Sequence, residues 1–202
     1  MLSNRTILEH SLEKIIGCGH VADIWVAIKM DDPYWPVIEE NLKHSVNVVE
    51  GGAERADSVL NAIAAIPGAQ ADDWVLVHDA VRPLVDSNII NDLLDSLTDS
   101  DAGAILAQPV YETVKLANDD RTVSKTLDRS QLWTAQTPQV FRYGLLKDAL
   151  ESTRGDRSIT DEASAMEACG HQVRLIEGHR YNIKITCRED LVLAEQLMKL
   201  EA

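Results

Sequence analysis

At 202 residues with an apolar fraction of 45%, the chain is the size of one domain with room for a small appendage and enough apolar mass for a proper core. Its 33 acidic and 19 basic residues give a formal net charge of −14. That excludes the basic field that non-specific nucleic-acid or membrane-surface binding needs, so an anionic ligand must be held by a few local cations. Three widely spaced cysteines (Cys18, Cys169, Cys187) with no C-x-x-C pair read as reduced thiols of a cytoplasmic protein. No apolar run approaches the roughly 18 residues of a membrane span, and residues 1–6 lead straight into an amphipathic helix rather than a signal peptide.

The first helix opens at Thr6, with Glu9 three residues on as a capping box. Ile7, Leu8, Ser11, Leu12, Ile15 and Ile16 recur at helical spacing, and Gly17 ends it. Residues 22–29 hold a buried strand around Ile24-Trp25-Val26-Ala27-Ile28. A second strand over 45–49 runs into Gly51-Gly52, and a helix over 54–65 stops near Pro67-Gly68. The apolar run Trp74-Val75-Leu76-Val77 is a third strand, followed by a helix near 88–97 and a strand over 103–107. This alternation predicts βαβ units in an α/β, Rossmann-like, mostly parallel sheet with helices on both faces. After Pro109 the rhythm breaks. Residues 111–116 and 122–127 alternate with period two about the turn Asn118-Asp119-Asp120, which predicts a protruding β-hairpin arm at about 110–130 and, through it, a dimer. Helices near 143–151 and 161–168 follow, then strands near 173–176 and 182–185. A last helix opens on a second capping-box pattern, Thr186-Cys187-Arg188-Glu189, and runs to the end.

Asp79, Ala80 and Arg82 sit just past the third strand, at the carboxyl edge where open α/β sheets bind ligands. The acid suits a divalent metal, the small residue admits a ligand close to the backbone, and the arginine suits a phosphate. His78 beside them reads as an inward-facing, satisfied histidine. Gly51-Gly52-Ala53-Glu54-Arg55-Ala56-Asp57-Ser58 joins a strand to a helix, as a tight capped turn or as a cradle for an anion or a base edge. Lys184 lies between Ile183 and Ile185, so its charge needs a phosphate or a carboxylate. Arg129 follows the hairpin. Thr160-Asp161-Glu162 reads as a helix cap or as a phosphate contact, and Thr137-Pro138-Gln139 is ambiguous alone. No zinc spacing and no G-x-S-x-G elbow is present.

Taken together, the segments GGAERADSVLNAI, WVLVHDAVRP, PVYETVK, TLDRSQLWTAQTPQVF, ITDEASAMEACG and YNIKITCREDLVLAE closely resemble, in order and spacing, the 2-C-methyl-D-erythritol 4-phosphate cytidylyltransferases. The resemblance runs from about Asn4 to the C-terminus. It implies a single nucleotidyltransferase-like domain over 1–202 that joins CTP and methylerythritol phosphate, with Mg²⁺, to give a CDP-alcohol and pyrophosphate for non-mevalonate isoprenoid synthesis. By the same resemblance Asp79 helps hold Mg²⁺ and CTP, while Gly52, Ala53, Ser58 and Ala80 line the cytosine and ribose. Lys184 and Arg129 position the sugar phosphate, Arg129 reaching over from the arm of a second subunit. Thr113, Arg82, Thr137 and Thr160 make the remaining sugar-phosphate contacts.

Two departures from the family pattern bear on these expectations. Ala53 stands where an Asp is common. Family members also open with a strand and a glycine-rich loop carrying an Arg and a Lys, whereas this chain enters its first helix within a few residues of Met1. The resemblance therefore implies an N-terminally truncated member, with a gap among its strands and little turnover by the 202-residue chain itself, since single phosphate donors contribute roughly 3 kcal/mol. Two other readings share much of this sequence: a ribitol-5-phosphate cytidylyltransferase with the same nucleotide site, and a non-catalytic dimeric binding protein.

Overall fold

The computed structural model describes residues 1–42, 44–99 and 101–201. The first helix, α1 (Ile7–Ile16), forms as the sequence dictates. Thr6 accepts from the Glu9 amide at 3.1 Å, and the Glu9 carboxylate takes the Thr6 amide at 2.7 Å. Next come β1 (Trp25–Ile28), α2 (Trp35–Asn41) and β2 (Asn47–Glu50), then α3 (Arg55–Ala65), β3 (Trp74–Val77) and α4 (Ser87–Asp95). After β4 (Gly103–Pro109) the arm is built from β5 (Lys115–Ala117) and β6 (Val123–Thr126). The chain ends with β7 (Trp133–Arg142), α5 (Tyr143–Ser152), α6 (Glu162–Ala168), β8 (Arg174–Glu177) and α7 (Arg188–Glu201).

The α/β, Rossmann-like expectation holds. The larger sheet has the order β3-β7-β4-β8. β4 and β8 pair in parallel, and β7 pairs antiparallel to both β3 and β4, so three strands share one direction and β7 alone is reversed. Alternation along these strands splits the core between two faces. Ile105 and Phe141 pack with Ile63, Leu146, Ala149 and Met166 of α3, α5 and α6. Ala104, Leu106 and Val140 pack on the opposite face with Ile15, Ile90 and Leu93 of α1 and α4.

Four local expectations are corrected. The ten-residue strand β7 is missing from the sequence-based elements, because Thr134, Gln136, Thr137 and Gln139 break its apolar alternation and Pro138 argues against a central strand. It forms because Pro138 falls where the ladder with β4 shifts register between Ile105 and Ala107, so its absent N–H leaves no ladder bond unmade. Helix α2, with Pro36 in its first turn, was also not foreseen. Conversely, 182–185 is not a strand. The Asn182 side chain donates to the Thr137 carbonyl at 2.8 Å, and a tight bend brings the Ile183 amide to the Tyr181 carbonyl at 2.7 Å, so only Ile185 reaches the Val81 carbonyl. At α7 the acid that reaches back to Thr186 is Asp190, at 2.8 Å from both its amide and its hydroxyl, in place of the expected Glu189.

β1 and β2 pair in parallel as a separate two-stranded sheet. Among the described residues, neither β1 nor β3 has a strand on its second edge. A cavity of about 750 Å³ lies between them, walled by Leu12, Ile24, Val26, Val59, Val75 and Val77. It opens at one end onto Arg55, Ser58, Asp79 and Lys184.

Candidate active site

Asp79 lies two residues past β3, at the carboxyl edge of the sheet, and it organises what surrounds it. Its backbone N–H donates to Thr137 Oγ1 at 3.0 Å, which ties the β3 end to β7. Lys184 Nζ stands 3.0 Å from one carboxylate oxygen, Oδ2, and Arg82 Nε stands 3.5 Å from the same atom. Arg55 Nε donates to the other oxygen, Oδ1, at 3.0 Å. Burial works to raise the Asp79 carboxyl, but Arg55 and Lys184 outweigh it and hold the group below the usual carboxylate range. Asp79 is therefore ionised at neutral pH.

Arg55 was not singled out from the sequence, although it stands inside the Gly51–Ser58 turn at the first position of α3. Its two terminal nitrogens donate to Glu162 at 2.6 and 2.9 Å in a bidentate fork. Glu162 is completely buried at the start of α6. Burial pushes its carboxyl up, with Arg55 pulling the other way. Three cations (Arg55, Arg82, Lys184) thus face two carboxylates (Asp79, Glu162), so one positive charge remains to meet an anion.

The strand-to-helix turn supplies the neighbouring wall. The Gly52 N–H donates to Ser58 Oγ at 2.9 Å, and that hydroxyl donates to the Glu54 carbonyl at 3.2 Å. Ala53 is exposed at the turn and can offer a ligand only its backbone groups. Ala80 is exposed beside Asp79, its carbonyl taken by Ser11 Oγ at 2.7 Å. His78 is satisfied, as expected: Nε2 lies 3.0 Å from the Arg82 carbonyl and Nδ1 lies 3.0 Å from Thr137 Oγ1. The Arg82 carbonyl can only accept, so in the neutral ring Nε2 carries the proton and Nδ1 accepts from the Thr137 hydroxyl, which itself accepts from the Asp79 N–H. Burial holds His78 down to about 4, in keeping with that neutral form.

The structure therefore brings Asp79, Ala80, Arg82, Thr137 and Lys184 together, with Gly52, Ala53 and Ser58 on the adjoining turn. Three expected residues stand apart from the ion-pair cluster. The Arg129 guanidinium donates to the Tyr111 carbonyl at the root of the arm. Thr113 is exposed in the segment entering β5. Thr160 does not cap α6: Asp161 does, its side chain accepting from the Ser164 amide at 2.9 Å, while the Thr160 amide donates to Ser164 Oγ. Besides Arg55 and Glu162, sequence reading missed Asn182 and Gln139. Both are buried amides whose roles depend on partners 20 or more residues away.

Comparison with known proteins bears on the family and the fold. The family model for 2-C-methyl-D-erythritol 4-phosphate cytidylyltransferase matches residues 1–200. The chain belongs to that family. Among its relatives, the cytidylyltransferase of that name from Pseudomonas entomophila is 46% identical over 193 residues, covering 94% of this chain and 82% of the relative. The one from Vibrio atlanticus is 46% identical over 195 residues, 96% of this chain and 83% of the relative. A crystal structure of a 4-diphosphocytidyl-2C-methyl-D-erythritol synthase superposes with a TM-score of 0.88 at 35% identity, covering 98% of this chain and 92% of that one. The family enzyme from Francisella tularensis gives 0.83 at 38% identity, with coverage of 96% and 89%. Cytidylyltransferase family members are thus similar to this chain in sequence and in fold along nearly its whole length.

Proposed function

We propose that this chain transfers the cytidylyl group of CTP to 2-C-methyl-D-erythritol 4-phosphate. The observation that carries this reading is the cluster Asp79–Lys184–Arg82–Arg55, with its surplus cation, at the sheet edge of a chain of this family. In the reaction, an oxygen of the alcohol phosphate bonds to the α-phosphorus of CTP, and the bond from that phosphorus to the bridging oxygen of the β-phosphate breaks. Pyrophosphate leaves with the electron pair. Two anions must approach each other, so catalysis consists of positioning and charge neutralisation, and no protein nucleophile is needed. Lys184 and Arg82 would hold the acceptor phosphate, and Gly52, Ala53, Ser58 and Ala80 would line the base and ribose. Thr113, Thr137 and Thr160 are the remaining acceptor contacts.

Mg²⁺ is part of the proposal. Among the described residues no group of three His, Cys, Asp or Glu side chains could hold a metal. Mg²⁺ needs no such cage, since it keeps several waters and binds through one or two carboxylates plus substrate phosphates. Asp79 is the carboxylate that would serve, once Lys184 and Arg82 turn from its Oδ2 to the phosphates, and a bound ion would supply charge neutralisation there. The homodimer is likewise proposed. Leu116 and Val123 of the arm are exposed, and Arg129 at its root has no part in this chain's own Asp79 cluster, so a second subunit's site is its natural target. A cytoplasmic location belongs to the same proposal; among the described residues, no helix is long and apolar enough to cross a membrane.

Acceptor competition tests the assignment. With CTP and Mg²⁺ present, mass analysis should find CDP-methylerythritol in preference to CDP-ribitol when both alcohol phosphates are supplied. Preference for ribitol 5-phosphate would move the chain to the related cytidylyltransferases.

A further inference from the structure

The ion-pair cluster contains an asymmetry that the transfer reaction alone does not require. Arg55 has three nitrogens facing carboxylates, and two of them are committed to Glu162. Only Nε is left for Asp79, and it meets only Oδ1. Oδ2 is thereby left to Lys184, with Arg82 half an ångström further off. An unrestrained guanidinium next to a carboxylate prefers the two-point fork, which would engage both Asp79 oxygens. Glu162 is the group that prevents this, because it holds the fork from a wholly buried position on α6.

We propose that Arg55 and Glu162 are positioning residues: Glu162 holds the guanidinium fork away from Asp79, so that Arg55 anchors one carboxylate oxygen and leaves the other to Lys184 and Arg82. The pair joins the starts of α3 and α6 to the end of β3, so the nucleotide-side turn and the acceptor-side helix are set by one side chain. A buried carboxylate kept merely for stability would need a partner, but that partner would not also have to touch Asp79. The consequence for turnover rests on the cytidylyl-transfer reading; the geometric claim does not.

The test reads Lys184 directly. Reductive ¹³C-methylation keeps the lysine charge and gives each lysine an NMR resonance, and that of Lys184 is assigned by its loss in Lys184→Arg. In Glu162→Gln, an isosteric and neutral change, Arg55 is freed to take both Asp79 oxygens. The Lys184 resonance should then move towards those of exposed Lys29 and Lys125. In Arg55→Lys the fork is lost, Lys184 shares both oxygens, and its resonance should move the opposite way. Removing both charges with Arg55→Met/Glu162→Leu also frees Oδ1, so the resonance should move the same way as in Arg55→Lys and not the way it moves in Glu162→Gln. An unmoved Lys184 resonance in either folded single variant overturns the proposal, whatever happens to Tm. In turnover, Glu162→Gln should lower kcat/KM about tenfold in the wild-type background and less than about twofold in Asp79→Asn, since the two residues act through one contact. Equal losses in both backgrounds would also overturn it. A wild-type chain with no turnover would sink the functional reading and leave the resonance to decide this one.

Discussion

A Cβ on Gly52 would lie 2.2 Å from Asp57 Cβ, 2.8 Å from the Asp57 carbonyl carbon and 2.9 Å from the Ser58 nitrogen. Two of these atoms are backbone, so no rotamer change relieves the clash, and the first turn of α3 must shift. Gly52→Ala is expected to cost about 1–3 kcal/mol in urea unfolding and to weaken CTP binding, because Arg55 and Ser58 sit on the displaced turn. His78 makes a second prediction at the same scale. Its folded value of about 4 lies below the roughly 6.5 of an unfolded histidine. Between those values the unfolded chain holds a proton that the folded chain refuses. Stability should therefore fall as pH drops from about 6.5 to about 4, by at most about 1.4 kcal/mol per unit, and level off below. The urea midpoint of His78→Gln should be flatter over that window. The sequence placed Asp79 and Arg82 at a ligand-binding sheet edge and showed that Lys184 needed a phosphate or a carboxylate. It could not show which, because Arg55 and Glu162 are 107 positions apart and only the fold makes them neighbours.

At the scale of elements, the readable segments were those whose signals are local. The Thr6–Glu9 box, the Gly51-Gly52 stop and the apolar run of β3 all depend on neighbours in sequence. β7 was unreadable because its polar residues are satisfied at long range. Gln139 is buried, donates to Asp161 Oδ2 at 2.8 Å and accepts from the Ala163 N–H at 3.0 Å, so it caps α6 from a strand that sequence patterning assigns no role. Gln139→Leu would leave that amide and Asp161 without their partner. The expected loss is about 2 kcal/mol by chemical denaturation, with lowered amide-exchange protection over α6. An unchanged midpoint would show that water replaces the side chain at no cost.

For the whole molecule, the alternation of strands and helices was enough to place helices on both faces of the sheet, and the six motifs were enough to indicate the family. The strand order was not legible, since one reversed strand decides how β3 and β4 meet. The arm carries a prediction at this scale. A two-stranded ribbon is marginal alone, and β5 and β6 are exposed throughout, so a second subunit should cover them. Analytical ultracentrifugation should find a dimer that Leu116→Lys/Val123→Lys dissociates, whereas a monomeric wild type would refute the arm's role. The central claim is that the Asp79 cluster carries cytidylyl transfer. Its most direct test is methylerythritol-phosphate-dependent pyrophosphate release from CTP with Mg²⁺. It would be measured on the wild-type chain and on Lys184→Met. The account predicts acceptor-dependent release from the wild type and loss of about a hundredfold or more in Lys184→Met. No acceptor-dependent release from the wild type, or full release from Lys184→Met, would contradict it.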